Sequence, residues 1–110
     1  DIAKARELIA SVKVVDDVMR YIIDIVRLTR QSDTIRLGAS PRASVFLQRA
    51  SQAHAAFEGR NFVMPEDVIA SAPSVLSHRI LLSSKARLDQ LNETDCIVQL
   101  CSRIPKPAGL

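Results

Sequence analysis

The residues best placed to do chemistry in this chain are Ser40, Pro41 and Arg42, at the opening of a strongly helical stretch. A helix N-terminus presents unpaired N–H groups and partial positive charge, so Asp and Glu usually occupy its first turn. The second helical stretch obeys with Asp16 and Asp17, and the fourth with Glu66 and Asp67. The third places Arg42 there instead, at a cost of roughly 0.3 kcal/mol or more unless an anion visits. Free N–H groups, the helix dipole and a guanidinium converging at one point constitute a phosphate site. On a helical wheel Arg49 falls within about 20° of Arg42, and Val45 and Ala56 share that flank. An outward flank of this composition reads as a docking surface for another domain or as a solvated face with a stray Val.

The remaining candidates are weaker. His54 lies on an apolar helix face and reads as a satisfied core histidine rather than a ligand. His78 and Arg79 follow a turn opened by Pro73, and a structural or surface role suits them. Cys96 and Cys101 are about 140° apart on a helix, which is neither a redox pair nor a zinc spacing. They read as buried thiols in a reducing compartment. No G-x-x-x-x-G-K-[ST] pattern and no GK dipeptide occurs, so the chain has no phosphate loop of its own. Neither a nucleophile elbow nor a metalloprotease pattern frames its Ser, His and Asp residues. A free-standing enzyme therefore has no motif in its favour, and no metal site is expected.

The composition narrows the classes further. At 110 residues there is room for one core, so residues 1–110 form one domain, with 105–110 as a loose tail. Hydrophobic residues at 47% against 25% charged argue for a folded domain rather than disorder. Only 3 glycines leave little for hairpins, and the Ala, Leu, Ile, Arg and Glu content favours helix. A net charge of +3 permits phosphate contact without making a dedicated nucleic-acid binder. The rival class is a helical DNA- or protein-binding module using Arg20, Arg27, Arg30, Arg36 and Arg49. Interleaved acids oppose it, and no nucleic-acid partner is expected. No apolar run is long enough to insert in a membrane and no signal pattern opens the chain, which fits a cytoplasmic protein. A start at Asp1, without Met, reads as an excised piece of a longer protein.

Periodicity predicts the elements that must position Arg42. The first helix covers about 2–12 and the second about 16–30. The second carries a core stripe of Val15, Val18, Ile22, Ile25, Val26 and Thr29, opposite Asp16, Arg20, Asp24 and Arg27. A loop over 31–40 follows, with Ile35 and Leu37 pinned to the core. Ser40 as cap and Pro41 as first residue open the longest helix, ended near Glu58 by Gly59. Its predicted core stripe is Ala43, Phe46, Leu47, Ala50, Ala53, His54 and Phe57. A fourth helix runs from Pro65 to about Leu76, and Asn92 with Asp95 caps a last one reaching about Arg103. The fold class is all-α: a small bundle of about five helices, with short β pairings around 12–14, 62–63 and 80–82.

These residues carry a resemblance. The run over 38–80, with GASPRA, then GR-x-x-V-x-P-x-DV, then a closing LxHR, resembles the C-terminal lid domain of MoxR-type AAA+ ATPases. Residues 14–30 are similar to the helix preceding that motif, and 87–107 to the family's terminal helix and proline-bearing end. The likeness spans about 5–107. Met64 stands where the family has a Thr or Ser cap, so the local cap departs from the pattern. The magnesium-chelatase lid shares the pattern less well. The resemblance implies that Arg42 is the sensor-2 arginine, reaching the γ-phosphate of ATP, with Ser40 and Pro41 holding its backbone. It further implies that ATP and Mg2+ are held by an αβα core domain of the same chain, within a ring of neighbouring subunits. The family is thought to act as chaperone-like ATPases that assemble or mature protein complexes, often beside von Willebrand factor A domain partners. Lacking a phosphate loop, this chain alone should hydrolyse no ATP and bind it no tighter than roughly the millimolar range. Saturable micromolar affinity in calorimetry would overturn the lid reading.

Overall fold

The computed structural model describes residues 1–107; the predicted tail residues 108–110 lie outside the described residues. Its helices are α1 (Ile2–Ala10), α2 (Asp16–Thr29), α3 (Ala43–Phe57), α4 (Pro65–Leu76), α5 (Ser84–Leu88) and α6 (Glu93–Ser102). Two short strands, β1 (Ile35–Leu37) and β2 (Leu81–Leu82), pair antiparallel, and a 3-10 turn spans Ser77–Arg79. The bundle expected from periodicity is therefore the fold, with α5 as a helix that the pattern did not announce. Ser83 caps it, its hydroxyl accepting from the Ala86 N–H at 3.1 Å.

The core sits where α2, α3, α4 and α6 meet. Val18, Ile22, Ile25 and Val26 of α2 face Leu47 of α3, Val68, Ala72 and Leu76 of α4, and Ile97 and Leu100 of α6. The helices α3 and α4 share the most extensive contact, and α6 packs chiefly on α4. α1 lies against α3 and buries none of its own residues. The short connections are tied across the bundle. Lys13 and Phe62 form a parallel bridge, and the Gln52 amide donates to the Val12 carbonyl at 2.8 Å.

Four local expectations are corrected. First, α3 turns a different stripe to the core: Ala43, Leu47, Ser51, Gln52 and Ala55 are buried, whereas Phe46 is half-exposed and Phe57 is 92% exposed. Ala50, Ala53 and His54 are only partly buried. In an alanine-rich helix hydrophobicity alone does not select a face. The small side chains at i, i+4 spacing admit α4, and the Ser51 hydroxyl is satisfied by the Leu47 carbonyl at 2.7 Å. Second, Leu37 is exposed, because the β1–β2 register shifts between Ile35 and Leu37 and turns it off the core face. Third, Pro73 lies inside α4 and opens no turn; the chain breaks only after Leu76. Fourth, Val15 precedes α2 in extended backbone and is 41% exposed rather than part of the core stripe. In the tail, Lys106 reaches Glu66 at 3.2 Å, so its described part is not wholly loose.

One buried charge sets how α3 meets α4. Asp67 is fully buried, and its carboxylate accepts from the Met64 N–H at 2.7 Å and pairs with Arg60 and with His54 Nδ1 at 2.6 Å. His54 is thus no core histidine; its ring is 38% exposed and closes the edge of this cluster. Met64 supplies no side-chain cap, and Asp67 reaching back to its N–H makes the start of α4 from the other direction. Burial alone would push the Asp67 carboxyl up, but the Met64 N–H, Arg60 and His54 together hold it below the ordinary 3.8. A carboxyl held low stabilises the fold above that ordinary value, and the contribution is lost as pH falls through the folded value. Asp67→Asn should cost about 3 kcal/mol at neutral pH. The gap from the parent chain should narrow in urea titrations run below about pH 4, where the unfolded parent takes up a proton at Asp67, and close once the folded carboxylate is protonated too. A gap independent of pH would show that the charge is not what matters.

Candidate functional site

The loop that delivers Arg42 is pinned from behind by the end of α2. The Thr29 hydroxyl donates to the Val26 carbonyl at 2.6 Å and accepts from the Ala39 N–H at 3.0 Å. Arg30 donates from Nη1 to the Ala39 carbonyl at 3.2 Å, so both backbone groups of this buried residue are held. Gly38 lies against Arg30 so closely that a Cβ there would stand 2.7 Å from the Arg30 backbone. Glycine at that position is a requirement of space rather than of backbone angle. The first half of the GASPRA motif is thus an anchor.

Its second half makes a tight turn into α3. The carbonyls of Ser40, Pro41 and Arg42 accept from the N–H groups of Ala43, Ser44 and Val45 at 2.9, 3.2 and 3.0 Å. The Ser44 hydroxyl adds a bond to the Pro41 carbonyl at 2.8 Å. Two expectations change accordingly. Regular helix begins at Ala43, with Arg42 as its cap residue, and the Ser40 side chain makes no capping bond. The N–H groups of Ala43, Ser44 and Val45 are already used within the turn, so they are not free for an anion. What the site offers is the dipole and the guanidinium. Arg42 is exposed, no acid occupies the first turn of α3, and no carboxylate pairs with Arg42 among the described residues.

One turn further along α3, Phe46 stands 45% exposed, and Arg79 places its guanidinium 4.7 Å from the ring centroid. Arg79 also donates from Nη1 to the Val75 carbonyl at 2.6 Å. His78 beside it is exposed and at the surface, as its sequence setting predicts. The stack joins residues far apart in the chain, so no spacing rule could find it; only the LxHR block marked Arg79 for attention. The rival set of arginines forms no single face. Arg20 and Arg27 share the outer side of α2 with Asp16 and Asp24, and Arg27 lies 3.9 Å from Asp24. Arg30 is committed to the Ala39 carbonyl, and Arg49 lines a groove between α1 and α3 with Arg6, Gln48 and Gln52. Val45 is exposed on the flank it shares with Arg49, while Ala56 packs partly against the core.

The cysteines are buried and free, as expected. Burial pushes the Cys101 thiol up to about 11 and raises Cys96 as well, which suppresses the reactive thiolate. No helix among the described residues is long and apolar enough to cross a membrane.

Comparison with known proteins agrees with this geometry. Residues 27–99 match the AAA lid domain family. The chain is 33% identical over 99 residues to the uncharacterised protein YeaC of Bacillus subtilis, covering 90% of this chain and 31% of that protein. It is 29% identical over 116 residues to the chaperone MoxR1 of Mycobacterium tuberculosis, covering 97% of this chain and 31% of the relative. A solved structure from Cytophaga hutchinsonii, of a protein assigned as an ATPase, superposes with a TM-score of 0.83 at 29% identity. That likeness covers 93% of this chain and 34% of the other. The chain thus spans about a third of the length of the proteins it matches. A six-helix bundle with an anchored GASPRA loop, matched by a family model over most of its length, belongs to the AAA lid domain family, as a lid of the MoxR type.

Proposed function

We propose that this chain is the nucleotide-responsive lid of a longer ATPase, sensing ATP through Arg42. The observation that carries the reading is an exposed arginine, unpaired among the described residues, where a helix N-terminus normally takes an acid, on a loop held by Thr29, Arg30 and Gly38. An anchored backbone with a free guanidinium is the arrangement that places charge accurately without performing chemistry itself. Phosphoryl transfer draws mainly on positioning and charge stabilisation, so one arginine aimed at the γ-phosphate changes the rate strongly. ATP and Mg2+ would be held by an αβα core domain elsewhere in the protein, where the metal would supply charge neutralisation for phosphoryl transfer. The lid, rigid about its own core, carries the nucleotide state to neighbouring subunits of a ring by rigid-body rotation. The chaperone name of the mycobacterial relative supports a chaperone-like role. We place that role in the assembly or maturation of protein complexes in the cytoplasm, with von Willebrand factor A domain proteins as partners.

Two substitutions test the reading. Arg42→Ala should leave the melting temperature of this chain unchanged or slightly raised, since it removes a cation from a helix N-terminus. In the full-length protein it should lower ATP turnover by roughly 10³-fold, and ATP binding by much less. A normal turnover rate removes the sensor role, and unfolding of the chain makes Arg42 structural. Thr29→Val keeps the shape but leaves the Ala39 N–H without its acceptor in a buried place. It should cost about 1–3 kcal/mol in urea unfolding. An unchanged midpoint would mean that the loop is held by something other than this bond.

A further inference from the structure

We infer that Arg79 is a positioning residue for Arg42, acting through Phe46; this rests on the sensor reading of Arg42 above. Arg42, the cap residue, has helical backbone angles and stands one turn before Phe46 of α3, and helical side chains lean toward the N-terminus. The Phe46 ring therefore leans over the turn that holds Arg42. An exposed guanidinium four residues before an aromatic ring has an obvious resting place on that ring. Stacked there, Arg42 lies along α3 and is withdrawn from a ligand. In this structure the ring is taken by another cation: Arg79 lies 4.7 Å from its centroid, fixed from behind by the Val75 carbonyl at 2.6 Å. That carbonyl belongs to the last turn of α4, where a cation is favoured by the helix dipole. Arg79 needs no carboxylate partner to stay, and it has none among the described residues. A ring that already holds one guanidinium is a poor host for a second, because two like charges would share one small aromatic. Arg79 thus keeps Arg42 off Phe46 and extended toward a phosphate.

The consequence is a substitution effect whose direction a merely structural role would not give. In this chain, Arg79→Ala should free the ring, and the Arg42 Nε–Hε resonance should move upfield as the guanidinium enters the ring current of Phe46. Arg79→Lys, which keeps a cation, should move it less. The double variant Phe46→Leu/Arg79→Ala removes the resting place, and the Arg42 resonance should return to its parent position. In the full-length protein, Arg79→Ala should lower kcat about three- to sixfold, the fraction of Arg42 expected to be captured by an exposed stack. KM for ATP should change less, and adding Phe46→Leu should restore part of kcat. An Arg42 resonance unmoved by Arg79→Ala overturns the inference whatever ATP does, as does a double variant no better than the single. If instead the resonance behaves as expected while Arg42→Ala hydrolyses ATP at the parent rate, the sensor reading is the part that fails. A melting curve of each variant establishes that the bundle is intact. The double variant keeps the comparison decisive should Arg79→Ala alone loosen the 3-10 turn.

Discussion

A single carboxylate, Asp67, stands where the two most closely packed helices of this bundle meet, and it is buried completely. An unpaired charge in that position would be prohibitive, so the fold exists only if the partners arrive with it. They come from three places: His54 from the body of α3, Arg60 from the connection after it, and the Met64 backbone at the threshold of α4. Satisfying one side chain therefore fixes the end of α3, the path of the connection and the start of α4 together. Gly59 makes the reversal possible, with φ at 77° as the chain leaves α3. Because α3 also begins at the Arg42 loop, the same cluster that closes one end of the helix sets the axis along which the other end points.

The longer helices were legible where they carry their own punctuation, whereas the five-residue α5 was not. Pro65 with Glu66 and Asp67, Asn92 with Asp95, and Gly59 after the longest helix all mark boundaries through local physics. What the sequence did not reveal was which side of α3 faces inward. Phe46 and Phe57 are its largest apolar residues, yet neither is in the core, and polar Gln52 is. The choice depends on the approach distance of α4 and on a carbonyl at Val12 that needed a donor, both of which are tertiary facts. Leu37 escaped for a related reason, since a register shift in a two-strand pairing leaves no trace in alternation.

The candidate site was half legible. Arg42 was conspicuous as a cation in the wrong electrostatic place, which is a one-dimensional signal. The anchoring of its loop by Thr29 and Arg30 was not, because Thr29 sits in a helical stripe where it reads as an ordinary core position. The supposed pocket of free N–H groups also gave way to a tight turn that uses them internally. The site is consequently barer than the sequence implied, and more dependent on one side chain.

The first helix has a different standing from the rest. α1 spans 9 residues, buries none of them, and leaves Ile2 and Leu8 largely exposed. Helices shorter than roughly 12 residues are marginal in water without packing to support them. Its opening free energy therefore belongs toward the lower end of a scale whose upper end is set by α2 and α3. Its backbone hydrogen bonds have less buried surface to protect them than those of α2 and α3. The molecule is thus thermodynamically graded along its length, with a soft first segment joined at Val12 and Lys13 to a rigid body. Any surface that orders α1 adds its whole contact energy to that segment and almost none to the core.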